Sequence, residues 1–566
     1  MMKFQSKNIV VALAATAVAT LPAAAQGLSK EITIDKDVVP QERAASRLPV
    51  LPSLIEVKPE GTELQFSFSG IPARLAPYAG WLAPARVGDA VSVSDWRGYV
   101  EAGYFPAYNA TLSAGYRALD NGTDRLNVWG HFSGSSWRNP DGDLPKDMRP
   151  KYNDSGAALG ASYQRRFNPF STLDVALTLG GNWYNPPFDF DSQSVYTGKL
   201  DAGWRSRGGM VDYRVALHGD IFKMQKDWGW IPIGAPAASE QTFTLDGDMS
   251  VPFGGDVTSK SALTFDYAAT FLHRNLSLRM NEAGMEQKKG HVAGLVTLTP
   301  GMKFAGDNYQ VNIGARVDLS FNSGGGTFHI APKIEAVGAP SRYFRIFATA
   351  TGGQVTNSAS DLFGELRYID PSLSYAFSQV AIDADAGFIV GPWRGFQLTV
   401  FGGYSRANDW VMPYHSAGRL SPVDIKGFRF GGSLRYDWRD IVTVEGSGAM
   451  APQGYDKGYY MWRDRAKMEL RGMITVRPIK ALSVNVGGVA RLKRRYYYPA
   501  YYDYPGNYLP LGSIADLTAG ADYRFTPQFS VFLKGTNLLN HNWSEAIATD
   551  VPCHGRTALV GVTYLF

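Results

Sequence analysis

Apolar and polar residues alternate with a period of two along several long stretches of the chain. In the clearest example, Leu126, Val128, Gly130 and Phe132 alternate with Asn127, Trp129, His131 and Ser133. The same pattern runs through residues 211–221, 311–321 and 482–493. Because successive side chains of a strand point to opposite faces, each stretch predicts a strand with one apolar and one polar face. The stretches are long enough to cross a membrane at a tilt, whereas strands of soluble sandwiches usually have about five or six residues.

The connections between these strands alternate in length. Short turns are predicted at 167–170, 205–208, 305–308, 391–393, 437–440, 477–480 and 525–528. Longer segments are predicted at 138–152, 184–194, 224–239, 273–289, 353–376, 407–424, 451–464, 494–512 and 538–555. Short turns on one side and long loops on the other are typical of outer-membrane barrels. We therefore predict an all-β fold, a transmembrane antiparallel β-barrel of about 22 strands over residues 96–566, with both ends in the periplasm.

The polar faces of the predicted strands carry charges of both signs. These charges are Asp212, Arg214, Asp220, Arg316, Asp318, Arg491 and Lys493. Charges of opposite sign on neighbouring strands attract one another across a sheet. We expect them to form cross-strand pairs that brace a wide barrel, with selection of a solute as the alternative.

The end of the chain has a distinctive pattern. Its last strand places Ala558, Val560, Val562, Tyr564 and Phe566 on one apolar face. The stretch before it reads Gly535-Thr-Asn-Leu-Leu-Asn540, followed by Pro552 and Gly555-Arg556. Together these residues resemble the carboxy-terminal signature of TonB-dependent receptors, whose barrels have 22 strands. The resemblance implies location in the outer membrane of a Gram-negative bacterium, contact with outer-membrane lipid, and binding or transport of a ligand.

The resemblance also implies a role for four residues of the last strand. They are expected to form the membrane-assembly signal that the barrel assembly machinery reads, and they are Val560, Val562, Tyr564 and Phe566.

The residues before the barrel differ from it in composition. Residues 1–25 combine Lys3 and Lys7 with an apolar run of about a dozen residues and Ala23-Ala-Ala25, which predicts a cleaved secretory signal. Residues 26–95 are rich in proline and are expected to be an extended periplasmic tether or a partial plug of the lumen. Glu31–Ile34 is similar to the short peptide with which TonB-dependent receptors engage TonB, and a plain tether is the alternative. The plug domain of those receptors is expected to be missing.

Composition excludes several classes of protein. The 566 residues include 13% aromatic residues and 61 glycines, a mixture that suits barrels with aromatic girdles and tight turns. The mean hydropathy is slightly negative, which argues against a bundle of membrane helices. The formal net charge of +5 is small for this length and does not indicate a nucleic-acid partner.

The sequence contains no motif that indicates an enzyme. The chain lacks the His-Glu-x-x-His, phosphate-loop and Gly-x-Ser-x-Gly motifs. Cys553 is the sole cysteine, and with the adjacent His554 it supplies too few ligands for a metal site and lacks a third catalytic partner. We predict that the protein is not an enzyme and has no catalytic residue, metal or cofactor.

Two aromatic segments are candidate ligand-binding loops at the outer rim. The candidate residues are Tyr496, Tyr497, Tyr498, Tyr501, Tyr502, Tyr504, Trp228 and Trp230. Tyrosine offers rigid stacking area together with a hydroxyl group, which suits sugars, aromatic ligands or a protein partner. The alternative is that these rings belong to the outer aromatic girdle and pack against neighbouring loops.

Two hypotheses about function follow. The first is a binding or transport protein for a ligand that crosses the outer membrane. The second is a plugless structural scaffold in a multiprotein outer-membrane complex, with residues 26–95 docking periplasmic or outer-membrane partners. Conductance in a planar bilayer distinguishes an open pore from an occluded scaffold.

Overall fold

The structure is a computed structural model that describes most of residues 96–566. The described ranges are 96–105, 109–138, 149, 151–185, 192–207, 210–225, 238–253, 260–280, 285–322, 324–365, 376–413, 420–451, 466–498, 507–543 and 553–566. The predicted secretory signal (1–25) and periplasmic segment (26–95) lie outside these ranges, so their boundaries stay predictions.

The described residues form 24 strands and one helix. The strands are β1 Gly98–Phe105, β2 Asn109–Asp120, β3 Asp124–Arg138, β4 Lys151–Asn168, β5 Ser171–Tyr184, β6 Gln193–Ser206, β7 Asp212–Met224, β8 Ala238–Pro252, β9 Ala262–Met280, β10 Met285–Ala305, β11 Tyr309–Asn322, β12 Gly325–Ser341, β13 Phe344–Thr356, β14 Phe377–Trp393, β15 Phe396–Pro413, β16 Leu420–Trp438, β17 Val442–Met450, β18 Met468–Ile479, β19 Leu482–Leu492, β20 Arg494–Tyr498, β21 Asn507–Leu511, β22 Ile514–Arg524, β23 Phe529–Thr536 and β24 Thr557–Leu565. The helix α1 is Ala359–Glu365. Within the same ranges, the structure contains no helix with the length and apolar character needed to span a bilayer.

Twenty-two of the described strands form one closed antiparallel sheet. Each strand pairs with the next along the chain, β19 pairs with β22, and β24 returns to pair with β1. Closure is sealed at the chain end, where the Gly98 and Phe566 backbones exchange hydrogen bonds of 2.7 Å and 3.0 Å. β20 and β21 form a separate two-stranded hairpin within the connection from β19 to β22. The predicted barrel and its 22 strands are therefore confirmed.

The two ends of the barrel differ as predicted, with two corrections. Connections such as Asn168 to Ser171 and Trp393 to Phe396 are tight turns at the periplasmic end. The segment 273–289, however, is not a loop, because β9 and β10 remain paired as far as Met280 and Met285. β15 and β16 likewise extend through most of 407–424. Loop prediction failed there because these extensions lack the period-two apolar pattern from which strands were predicted, although their backbones stay paired.

The barrel wall has an apolar outside and a polar inside, as the alternation predicted. Val128, Ile313 and Leu319 expose between 40% and 48% of their surface on the outer face. Their neighbours in the sequence point inward, and Asp318 and Asp516 there are almost fully buried. Such an arrangement matches lipid outside and water inside.

The segment Gly535–Asn540, which carried the family resemblance, closes the outer end of β23. The Asn537 backbone N–H donates to Asp516 Oδ1 at 2.7 Å, and the side-chain amide donates to the carbonyl oxygens of His541 and His554. Asn537 holds a positive φ of 46°, a conformation that asparagine tolerates better than most residues. The motif thus ties the outer connection of β23 and β24 to the inner wall.

The four predicted assembly-signal residues lie on the outer face of the closing strand. Val560, Val562 and Tyr564 pair with Tyr104, Ala102 and Val100 of β1. The rings of Tyr564 and Phe566 stack with centroids 6.2 Å apart. Their role in recognition by the assembly machinery stays a prediction.

Candidate functional site: an inward-folded segment in the lumen

The last residues of β13 and the helix α1 that follows them lie against the lumenal side of the barrel wall. The regular pairing of β13 is interrupted between Thr351 and Gly353. Gly353 has a φ of +121°, which residues with a side chain rarely adopt. A Cβ atom there would lie 2.3 Å from Nε of Arg316. Pairing of β13 with β12 ends at Thr351, whereas pairing with β14 resumes at Gly353 and continues to Thr356. Glycine is therefore required where β13 separates from β12, at the start of the inward segment, which we define as residues 353–365.

A buried ion pair fastens the inward segment to β8 and β9. Arg274 Nε donates to Glu240 Oε2 at 2.6 Å, and both residues are only 2% exposed. Glu240 Oε1 accepts the Ala359 backbone N–H at 2.7 Å, and Arg274 Nη2 donates to the Asn357 carbonyl oxygen at 2.8 Å. Each charged group therefore binds its ion partner and the segment simultaneously. We use the name latch for these four residues, Glu240, Arg274, Asn357 and Ala359.

The helix α1 adds an apolar contact to the latch. Ser358 Oγ accepts the Asp361 backbone N–H at 3.1 Å, as an N-cap residue does. Leu362 is 1% exposed, and the Phe363 ring lies 6.0 Å from that of Tyr184 and 5.7 Å from that of Phe222. Burying such a side chain contributes about 1.5–3 kcal/mol. A seven-residue helix is not stable alone, so this contact holds it in the lumen.

A second anchor lies at the start of the segment. The Gln354 backbone N–H donates to Asp318 Oδ2 at 2.6 Å, and Arg316 Nη2 donates to the Gln354 carbonyl oxygen at 2.6 Å. Arg316 Nε and Thr297 Oγ1 both donate to Asp318 Oδ1, at 2.9 Å and 2.6 Å. Both oxygens of the Asp318 carboxylate, which has no exposed surface, thus accept hydrogen bonds.

Between the inward segment and the inner face of β6–β11 lies a polar cavity of about 370 Å³. We call it the lumenal cavity. Asp220, Thr244, Arg316 and Gln354 are among the residues that line it, and Asp361 of α1 reaches it from the segment. Its volume is within the range of small-molecule sites. The cavity is the main candidate for a site that contacts a solute inside the barrel.

The predicted lumenal charges are mostly paired across strands. Arg214 of β7 contacts Asp246 and Asp248 of β8 at 2.6 Å and 2.7 Å. Lys199 Nζ lies 3.2 Å from Asp220 Oδ2, and Arg491 Nε lies 2.9 Å from Glu469 Oε2. Arg316 and Asp318 differ from the expectation because they pair within one strand. The predicted cross-strand bracing is therefore confirmed for Arg214, Asp220 and Arg491.

The structure describes only a small part of the predicted aromatic loops. Tyr496, Tyr497 and Tyr498 lie in β20, whose backbone pairs with β21. The other candidates, Tyr501, Tyr502, Tyr504, Trp228 and Trp230, are outside the described residues. A ligand-binding role for all of them stays a prediction.

Sequence reasoning missed the latch and Gln354. Glu240 and Arg274 are single charges in separate strands, and their meeting depends on the register of β8 against β9. A local signal did exist for the segment. Gly352-Gly353 interrupts a strand, and Ser358 followed by Asp361 and Leu362 is typical of a helix start.

Comparison with known proteins shows the fold of this barrel. No family model and no curated protein matches the chain. The ferripyoverdine receptor of the outer membrane of Pseudomonas aeruginosa, solved bound to ferripyoverdine, has a TM-score of 0.61 at 13% identity, over 83% of this chain and 72% of that chain. A mutant ferric enterobactin receptor from Pseudomonas aeruginosa, solved with enterobactin, has a TM-score of 0.60 at 14% identity, over 83% and 81% of the two chains. The resemblance to barrels of TonB-dependent receptors is thus confirmed, and the fold is that of Gram-negative outer-membrane receptors.

Proposed function

We propose that this protein binds a solute at the cell surface and transports it through the barrel lumen across the outer membrane. The observation that carries the proposal is the lumenal cavity, a polar site held open between the wall and an inward-folded segment. The proteins of similar fold support it, since their structures hold ferripyoverdine and enterobactin. They are receptors, which agrees with a non-enzymatic role.

The inward segment narrows the path in this proposal. A 22-stranded barrel encloses a wide lumen, which has to be obstructed to prevent leakage. The latch and the Phe363 contact hold part of such an obstruction in place. Residues 26–95, and contact of Glu31–Ile34 with TonB, belong to the same proposal as further means of closing or opening the lumen.

Capture outside the barrel is assigned to the β20–β21 hairpin. Tyr496, Tyr497 and Tyr498 come from this hairpin, which interrupts the outer connection between β19 and β22. A solute that enters from outside would meet this hairpin before it reaches the lumenal cavity. Trp228 and Trp230 are assigned the same role from the connection between β7 and β8.

Planar-bilayer recording of the full mature protein tests transport. We expect a small and stable current in the wild type and a clearly larger one in Glu240→Gln, because that change leaves Arg274 buried without a charge partner and weakens the latch. Glu335→Gln is the matched control, since Glu335 also pairs with a lumenal cation, Lys333, but does not touch the inward segment. Its current should equal that of the wild type.

The alternative of a structural scaffold makes the opposite prediction. If neither the wild type nor Glu240→Gln carries current, and the protein is extracted in mild detergent only as part of a complex, transport is wrong. Circular dichroism of each variant verifies that the barrel is folded.

A further inference from the structure

We propose that the lumenal cavity binds a neutral solute rich in hydroxyl groups, of sugar or polyol chemistry. This inference rests on the proposed transport function and names the class of solute. Such a solute needs neither a free charge nor an aromatic ring in the barrel wall. Four features of the cavity favour a solute of this kind.

The lysine and the arginine that line the cavity are each already paired with a carboxylate. Lys199 pairs with Asp220, and Arg316 pairs with Asp318. His218 lies between two carboxylates, with Nδ1 at 2.5 Å from Asp201 Oδ1 and Nε2 at 2.8 Å from Asp246 Oδ1. An anionic solute would have to compete with carboxylates for these cations, whereas a neutral solute leaves the pairs intact.

Two acceptor atoms at the cavity have no hydrogen-bond partner among the described residues. They are Oδ1 of Asp220 and Oε1 of Gln354, and both atoms are buried. Gln354 is only 7% exposed, and its Nε2 is already committed to Thr327 Oγ1 at 2.9 Å. Buried polar atoms are normally satisfied, so these two require a donor that the wall does not provide. A hydroxyl group of a solute is such a donor.

Threonine hydroxyls continue the polar surface. Thr242, Thr244, Thr270 and Thr297 line the cavity from three neighbouring strands. Thr244 Oγ1 and Thr270 Oγ1 are 3.0 Å apart and can exchange donor and acceptor roles. Hydroxyl groups that both donate and accept match those of a sugar, which do the same.

The described lining also lacks an aromatic side chain. No phenylalanine, tyrosine, tryptophan or other ring except His218 lines the cavity within the part of the chain that the structure describes. A flat aromatic ligand would find no stacking partner here. The cavity volume of about 370 Å³ accommodates a small solute and not a macromolecule.

Isothermal titration calorimetry of the detergent-solubilised full-length protein tests the inference, with maltose and sorbitol as neutral probes and gluconate and glucosamine as charged ones. We expect saturable binding of a neutral probe, weakened about fivefold to tenfold in Gln354→Met, which removes one unpaired acceptor and retains side-chain length. Asp220→Asn should weaken binding similarly. Gln379→Met is the matched control, because Gln379 is a lumenal amide bonded to His329 and does not line the cavity.

Three results would overturn the proposal. They are binding of the charged probes alone, equal binding by wild type and Gln354→Met, and no heat with any probe. Bilayer current shows whether such a result overturns only the proposed class of solute or also the proposed transport. A conducting barrel that binds no neutral probe refutes the class of solute only, whereas a silent barrel in both the wild type and Glu240→Gln refutes transport.

Discussion

Two regions of the inner wall both bury polar atoms but differ in whether those atoms are hydrogen-bonded. On β14–β16, Arg429 Nε donates to Asp385 Oδ1 at 2.8 Å and Nη1 donates to Asp383 Oδ1 at 2.5 Å. Nη2 donates to the second oxygen of Asp385, and Ser405 completes the set. At the lumenal cavity, by contrast, Oδ1 of Asp220 and Oε1 of Gln354 stay unpaired among the described residues.

Packing accounts for much of this difference. Within the Arg429 cluster, a Cβ added at Gly403 would clash with Asp385 Oδ1 and would lie 2.9 Å from Arg429 Nε, so the ion pair fills the space that a side chain would occupy. At the cavity the inward segment lies over the wall and leaves about 370 Å³ between them. Buried polar groups stabilise a fold when they are satisfied and destabilise it when they are not. The first region therefore braces the barrel, and the second is suited to a solute.

The largest effect is expected from breaking the first region. Arg429→Met leaves two carboxylates at a buried site without their cation, and removing one partner of a buried pair costs about 3–5 kcal/mol. We expect a marked fall in the free energy of unfolding, measured by urea titration in detergent or lipid vesicles with tryptophan fluorescence.

The control for this prediction lies on the same strand. Arg435 also pairs with two carboxylates, Asp437 and Glu445, but its side chain is 49% exposed. Arg435→Met should cost less than about 1 kcal/mol, as exposed pairs do. Equal losses in the two variants would mean that the Arg429 cluster is no stronger a brace than a pair at the surface.

A smaller effect is expected from disturbing the inward segment that lies over the lumenal cavity. Gly353→Ala forces a side chain into a φ of +121° and against Arg316, and strain of this kind costs about 1–3 kcal/mol. Because the strain falls on the inward segment, we expect it to loosen while the barrel stays folded. Limited proteolysis within 353–365 should accelerate, and bilayer current should rise.

Gly364→Ala serves as the control for the glycine prediction. It lies in the same segment, in α1, and a Cβ there meets nothing within 4 Å. Helices favour alanine over glycine, so this variant should be as resistant to protease as the wild type or slightly more so. Faster cleavage in both variants would show that the backbone at Gly353 has no special role.

The architecture was predictable because it follows from a repeated local pattern. Residues such as Val311, Ile313 and Val317 alternate with Asn312, Arg316 and Asp318, and every strand that crosses lipid has to repeat this alternation. The closing strand was predictable for the same reason. Its apolar face from Val560 to Phe566 pairs with β1 as a last strand should.

The inward segment was not predictable, because it depends on contacts between distant parts of the chain. Glu240 and Ala359 are 119 residues apart, and only the register of β8 against β9 places Arg274 beside them. In the sequence, Gln354 looks like any polar residue at the end of a strand. Only the structure shows that its backbone N–H binds Asp318 and its side-chain amide binds Thr327. Lumenal polarity could be predicted from the sequence, but the pairing of individual atoms could not.

The smallest effect is expected at His554, a buried residue outside both wall regions. It tests whether a buried nitrogen without a hydrogen-bond partner is enough to make local stability depend on pH. Burial lowers the pKa of His554 below its usual 6.5, although a contact with the Gly555 carbonyl opposes this. Its Nε2 has no hydrogen-bond partner among the described residues, and its ring packs 5.0 Å from that of Trp137. The folded protein therefore holds His554 neutral in the connection before β24.

The sign of the pH dependence follows from this lowered pKa. Below about pH 6.5, His554 becomes protonated in the unfolded chain while it is still neutral in the folded chain. The folded state therefore has its full stability above that pH and loses stability as the pH falls through the folded pKa of His554. Hydrogen exchange of the peptide over 553–556, corrected for its intrinsic pH dependence, should show less protection at pH 5 than at pH 7. His554→Phe retains a ring against Trp137 and should abolish the difference. If the difference persisted in that variant, another group would govern the acid response, and an unpaired buried nitrogen would not by itself make this part of the barrel sensitive to pH.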